Sequence, residues 1–156
     1  MKHEESRLQQ QCVTWFRAQY KEFAMLLTHP INEGSRNSRI SGAIHKGEGT
    51  VAGVPDLLLF LPSFYDGRCR SCLGIEMKTP KGVQSKSQKD YERLFDAASN
   101  TYVVVRSFDE FVDVINKWMA EVPFHTKLAV KQVFGKLKEE QNEQDIKKFK
   151  KLINKK

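Results

Sequence analysis

No apolar run in this chain approaches the ~18 residues of a membrane span, so no membrane partner is expected. The N-terminal stretch MKHEESRLQQQ has no apolar core of the kind a secretory signal needs, and a cytoplasmic location is the expectation. Cysteine is scarce: three residues, an odd number, fit a reducing compartment better than a disulfide framework. Two of them, Cys69 and Cys72, form a C-x-x-C, but no second pair stands at a suitable spacing to complete a four-ligand zinc site. Two reduced thiols in a loop are the simpler reading. Internal repeats are absent, and the glycines of GEGTVAG (47–53) lack the G-K-[ST] ending of a phosphate-cradling loop. What remains, at 156 residues and 40% hydrophobic content, is about one domain with one buried core.

The net charge of +7 is unevenly placed. Residues 123–156 carry 10 lysines against 4 acids, which leaves 16 basic and 15 acidic groups for residues 1–122. The body is nearly neutral and the basicity is a C-terminal extension, mostly helix-compatible. Such a tail suits a polyanion such as nucleic acid, although solubility alone accounts for it equally well.

Along the chain, Leu8, Cys12, Trp15, Phe16, Tyr20 and Phe23 recur at steps of three and four and predict a helix with one buried face. FAMLLTH (23–29) predicts a short strand ahead of Pro30. Residues 32–53 hold five of the nine glycines and read as a long polar connection, with a helical turn or two near SRISGAIHK. Loops of this length are often functional. VPDLLLFL predicts a strand buried on both faces, Asp66-Gly67 a hairpin turn, and LGIEMK the returning strand. Ser85–Gln88 and Ser107–Glu110 have the form of capping boxes. The first opens a helix with Tyr91, Leu94 and Phe95 inward. The second follows a strand, TYVVVR, and opens a helix with Phe111, Val114, Ile115 and Trp118 inward. After Pro123, Val130, Val133, Phe134 and Leu137 form a short apolar stripe. The predicted architecture is α/β: a small mixed sheet flanked by helices, with a domain at 1–122 and the lysine-rich extension at 123–156.

Three charged groups interrupt the oily strands. Asp56 starts one; Glu76 and Lys78, two apart, leave the same face of the next. If the hairpin pairs these strands, two carboxylates meet in a partly desolvated place. That arrangement costs several kcal/mol unless one takes a proton or a cation intervenes. One lysine does not neutralise two carboxylates, whereas hard carboxylate oxygens are what Mg²⁺ binds. The Met77 carbonyl, between the two, is a further candidate ligand. A metal there would polarise a phosphodiester, and Lys78 could orient water or stabilise developing charge. A lone Pro-Asp or E-x-K is common by chance; the shared apolar setting and single hairpin distinguish the pair. Arg36, Arg39, Lys46 and Lys81 are candidate phosphate contacts around such a cleft, each equally readable as plain surface. Tyr91 either faces the site or packs.

PD followed by EMK resembles the PD-(D/E)XK nuclease pattern. The longer string GVPDLLLF … GIEMKTPKGVQSKSQKDYERL … YVVVRSFDEF resembles the VRR-NUC (virus-type replication-repair nuclease) family, over about Glu5 to Met119, including a Q-x-x-Y element at Gln88 and Tyr91. The resemblance implies a restriction-endonuclease-like mixed sheet. It implies Asp56 and Glu76 at the metal, Lys78 as the catalytic lysine and Gln88 as its helper, with Mg²⁺ or Mn²⁺ as cofactor. Stand-alone members of the family, of viral or bacterial origin, act as homodimers on branched DNA such as four-way junctions. The resemblance also implies an acid on the first helix near the metal. At ~100° per residue, Glu5 lies roughly 15° from the centre of the apolar stripe and Glu4 nearly 90°, which favours Glu5. Two other functions stand beside a structure-specific endonuclease: a non-catalytic DNA-binding protein on a nuclease fold, and a sequence-specific restriction-type nuclease.

Overall fold

The computed structural model describes residues 2–30, 47 and 49–153. Arg36, Arg39, Lys46 and the helical turn expected near residues 38–46 lie outside them. Two compact units divide the chain, Met1–Val122 and Pro123–Lys156.

The first unit is built on a four-stranded sheet whose spatial order is the chain order. Its strands are β1 (Leu27–Thr28), β2 (Leu57–Leu59), β3 (Leu73–Met77) and β4 (Thr101–Val105). β1–β2 and β2–β3 are antiparallel, in register Leu27↔Leu59 and Leu57↔Ile75; β3–β4 is parallel, from Leu73↔Thr101 to Met77↔Val105. The parallel pair needs a crossover, and helix α2 (Lys86–Ala97) supplies it. All five residues of β3 are buried, so both faces of the sheet are covered at its centre.

Helix α1 (Lys2–Gln19) and helix α3 (Phe108–Ala120) pack together through Trp15, set edge-on to Phe108 and Phe111 at 6.1 and 6.0 Å. Cys12, Phe16, Phe111, Ile115 and Trp118 are fully buried, as the periodicity predicts. A 3₁₀ turn, Lys21–Leu26, takes the first half of the expected strand 23–29 and leaves only Leu27–Thr28 to pair. The hairpin between β2 and β3 turns at Asp66 and Gly67 (φ 50° and 73°) and is closed by the Ser63↔Arg70 bridge. Ser63 Oγ donates to the Trp118 carbonyl at 2.8 Å and Trp118 Nε1 to the Leu61 carbonyl at 3.0 Å. The hairpin is thereby tied to α3.

Two local expectations need correction. Leu94 is 72% exposed, because α2 crosses the sheet on Tyr91 and Phe95, which stack at 5.5 Å, and a third inward residue has nothing beneath it. The second capping box is half formed. Ser107 Oγ accepts from Glu110 N at 3.1 Å, but the Glu110 carboxylate reaches past the cap to Arg106 N at 2.7 Å. The box at Ser85 and Gln88 is complete.

The second unit is one helix, α4 (Phe124–Ile153), of 30 residues. Val133 and Leu137 of its apolar stripe are exposed, while Val130 and Phe134 are half-buried. Spaced pairs such as Lys147–Glu143 at 3.9 Å line its polar face.

Two glycines allow the close approaches that set up the centre of the molecule. A Cβ at Gly74 would lie 2.8 Å from Pro55 Cγ and 3.0 Å from Phe95 Cε1, so α2 sits almost on the strand. Gly53 has φ +92°, and a Cβ there would meet the Ser87 carbonyl oxygen at 2.2 Å. The loop carrying Asp56 thus rests directly on the first turn of α2. Gly53→Ala is expected to destabilise the protein by about 1–3 kcal/mol, through backbone overlap and a left-handed φ. A chemical denaturation midpoint unchanged from wild type would refute this packing.

Candidate active site

Glu76 is the centre of the site. It is only 1% exposed, and a buried carboxylate persists only if its oxygens are hydrogen-bonded and its charge is met. Both conditions hold. On one oxygen, Oε1, Gln88 Nε2 donates at 2.5 Å and the Lys78 ammonium forms an ion pair. On the other, Oε2, the Tyr102 hydroxyl donates at 2.9 Å. These partners come from α2, β3 and β4, so three elements converge on one side chain. Strand alternation explains the convergence. Gly74, Glu76 and Lys78 leave β3 on the face that α2 covers, and Gly74↔Tyr102 pairing brings Tyr102 onto it from β4.

Asp56 immediately precedes β2, one residue beyond the Leu57↔Ile75 pair. Its Oδ2 accepts from Met77 N at 2.8 Å. One further step of this antiparallel register sets Asp56 opposite Glu76, which is how an acid following Pro55 reaches the end of β3. Behind it, His29 Nδ1 lies 2.6 Å from the Asp56 carbonyl oxygen and 3.1 Å from Gln9 Nε2. From α1, Glu5 Oε1 accepts from Thr79 N at 3.1 Å, while Glu4 is exposed. Both glutamates line a cleft of about 270 Å³ with Lys78, Thr79 and Arg106.

The electrostatics follow from burial and from too many carboxylates. Desolvation pushes the Asp56 carboxyl above its ordinary range; the Met77 N–H and the charges of Lys78 and His29 pull it back, and Glu5 pushes it up again. Desolvation likewise raises Glu76, opposed by its hydrogen bond from Lys78 and reinforced by the charge of Asp56. Tyr102 is held far above the usual phenol range by burial and by Glu76. It is therefore a fixed donor.

Among the described residues, no three His, Cys, Asp or Glu side chains converge into a ready metal cage. The oxygens at hand are the carboxylates of Asp56 and Glu76 and the Met77 carbonyl. Mg²⁺ takes one or two carboxylates and keeps several waters, so a partial, all-oxygen set of this kind fits it. The fit has a direct sign: Lys78 Nζ pairs with Glu76 Oε1 and lies 3.4 Å from the Met77 carbonyl oxygen. A cation already stands at two of those oxygens.

Of the residues singled out in the sequence, Glu5, Asp56, Glu76, Met77, Lys78 and Gln88 come together. Lys81 is exposed. Tyr91 is taken up in packing, stacked on Phe95 and tilted against Tyr102 at 6.5 Å. Cys69 is exposed and Cys72 is buried, its thiol pushed up to about 11 by desolvation, which leaves it a poor nucleophile at neutral pH. Tyr102, His29 and Arg106 were not evident from the sequence. The one signal for Tyr102 was a phenol in a valine-rich strand.

No family model and no curated protein matches the sequence. The structure is similar to a solved structure described as a VRR_NUC domain protein, with TM-score 0.64 and 20% identity, covering 76% of this chain and 89% of that one. The shared fold is a mixed sheet flanked by helices, the architecture the strand and helix signals predict.

Two consequences can be measured. Because folding raises the Asp56 carboxyl, the native state binds its proton more readily than the unfolded chain. Stability therefore falls as pH rises from the ordinary carboxylate range through the raised native value, and stays low above it. Asp56→Asn, which keeps an oxygen for Met77 N, should melt higher than wild type at pH 7 without divalent cation, with the gap closing on acidification. Equal midpoints at pH 7 would contradict the desolvation of Asp56. Tyr102→Phe removes a donor from a buried carboxylate and should cost about 1.5–3 kcal/mol in urea unfolding.

Proposed function

We propose that this chain is a metal-dependent DNA nuclease of the VRR-NUC type, hydrolysing phosphodiesters through Asp56, Glu76 and Lys78. The observation that carries the reading is the buried Glu76 carboxylate, hydrogen-bonded by Gln88 and Tyr102 and paired with Lys78. A structural core gains nothing from such a group that apolar residues would not supply more cheaply. An ion pair at the mouth of a cleft, beside a second desolvated acid, has the character of a site built for chemistry. The motif resemblance and the shared fold of the VRR_NUC domain protein support the same assignment.

In this reading Asp56, Glu76 and the Met77 carbonyl would hold Mg²⁺ or Mn²⁺. When bound, the ion supplies Lewis-acid polarisation of the phosphodiester and an acidified water. Gln88 and Tyr102 fix the Glu76 carboxylate so that its oxygens do not rotate away. Glu5 secures Thr79, the residue after Lys78, to α1. Lys78, beside the Glu76 carboxylate, would present its ammonium to the charge that develops on the phosphate. DNA is the substrate, branched structures such as four-way junctions are the preferred form, and a homodimer supplies two sites for paired cuts. Arg36, Arg39, Lys46 and Lys81 remain candidate DNA contacts, and the lysine-rich extension at 123–156 adds affinity for the polyanion.

The test is cleavage of a labelled four-way junction, a flap and a linear duplex of matched sequence in Mg²⁺ or Mn²⁺, with Lys78→Ala alongside. Nicking of the junction should fall by roughly 10²–10³ in the variant while junction binding persists. Salt-sensitive binding without cleavage of any substrate would instead identify a DNA-binding protein on a nuclease fold. Cuts at a fixed sequence in linear duplex would identify a restriction-type enzyme.

A further inference from the structure

The cleft beside Lys78 has an acidic wall and a basic one. Glu4 and Glu5 enter from α1, and Lys78 and Arg106 face it from the ends of β3 and β4. Arg106 owes its place to the parallel ladder. Lys78 N donates to the Val105 carbonyl at 2.9 Å, one step beyond the last strand pair, so the residue after Val105 must lie alongside Lys78 and Thr79. Its own backbone N–H is held by the Glu110 carboxylate at 2.7 Å, which pins the turn into α3.

The guanidinium is under-used. It offers five donors, of which, among the described residues, Nη2 alone makes a bond, to the Gly82 carbonyl at 3.3 Å. No carboxylate pairs with it among the described residues, and the side chain is half-buried. Arg70 shows what this chain does with an arginine whose role is structural. Its Nη1 donates to the carbonyls of Asp96 and Asn100, and its Nη2 pairs with the Asp96 carboxylate at 2.9 Å. Arg106 has one long tie that orients it and no charge partner. A half-desolvated cation left unpaired is unfavourable unless a ligand completes it.

The geometry points to Arg106 as a phosphate-binding residue, gripping a backbone phosphate of the nucleic-acid strand next to the one that Lys78 attends. The inference rests on the nuclease reading and deepens it. A cleft of about 270 Å³ takes a phosphate and part of its sugar, not a duplex, so the grip is on one strand. The planar fork suits paired non-bridging oxygens, while Glu4 and Glu5 on the facing wall repel a phosphate and confine it to the Arg106 side. Because the contact is to the backbone, it sets the register of the strand and carries no sequence preference. Arg106 is thus a positioning residue for the cut.

The test measures equilibrium binding of a labelled four-way junction in EDTA across about 50–200 mM salt, with cleavage followed separately in Mg²⁺. Arg106→Gln keeps a donor for the Gly82 carbonyl and loses the charge. It should weaken binding about tenfold and make the salt dependence shallower by about one unit, and in Mg²⁺ at saturating protein the cuts should spread from their fixed position on the strand. Arg106→Lys should restore the salt slope and only part of the affinity. Wild-type affinity and slope in both variants, with an unchanged melting temperature, would overturn the subsite and leave the nuclease reading standing. If Arg106→Gln melts lower, Arg106→Lys decides, since a purely structural tie predicts a wild-type slope for both once they are assayed below their melting temperatures. A wild-type protein that binds no junction at any salt would overturn both the subsite and the function it rests on.

Discussion

A carboxylate buried in the middle of a sheet sets the terms for the rest of this molecule. Glu76 can stay ionised only while Gln88, Tyr102 and Lys78 hold its oxygens, and each partner arrives on a different element. The capped first turn of α2 must present Gln88. The parallel register must bring Tyr102 onto the right face. β3 must end so that Lys78 folds back. A slip of one residue in β4 would turn Tyr102 to the opposite face and strip Glu76 of a donor. The polar centre therefore acts as a check on the fold as well as a place for chemistry.

The approach of Asp56 to that centre depends on the absence of side chains elsewhere. Gly53 lies against the Ser87 carbonyl and Gly74 against Pro55 and Phe95, so loop, strand and helix close to backbone distance. The result is an over-determined cluster with an excess of negative charge, which the apo chain meets with one lysine. Sites arranged in this way store unfavourable electrostatics in the native state and make it available to a cation.

Much of this was legible in the sequence because it was local. Period 3.6 in α1 and α3, period 2 in β3, the Asp66-Gly67 turn and the Ser85 box each follow from neighbouring residues. Asp56, Glu76 and Lys78 announced themselves by being charged where a core was expected, and Gln88 came with the family resemblance. The misses share the opposite property. Tyr102 and Arg106 acquire their roles from the β3–β4 register, and no short window carries that register. Leu94 looked inward by periodicity, yet α2 is covered on a face only two aromatics wide. Glu110 matched a capping box by spacing, but its carboxylate had a closer donor in Arg106 N. His29 gains its contact from Asp56, 27 positions later in the sequence.

The strand order has a separate consequence. Because the sheet follows the chain order, Asp56, Glu76, Lys78, Gln88 and Tyr102 all fall within one stretch from the residue before β2 to β4; among the described residues Glu5 and His29 join it from earlier in the chain and Arg106 from just after it. The reactive cluster is a nearly self-contained cassette. Sequence added before α1 or after Val122 does not enter its wiring, and neither does an insertion in the connection between β1 and β2 that leaves Gly53 to Asp56 in place. A scaffold of this kind can acquire appendages, or exchange them, without renegotiating its chemistry.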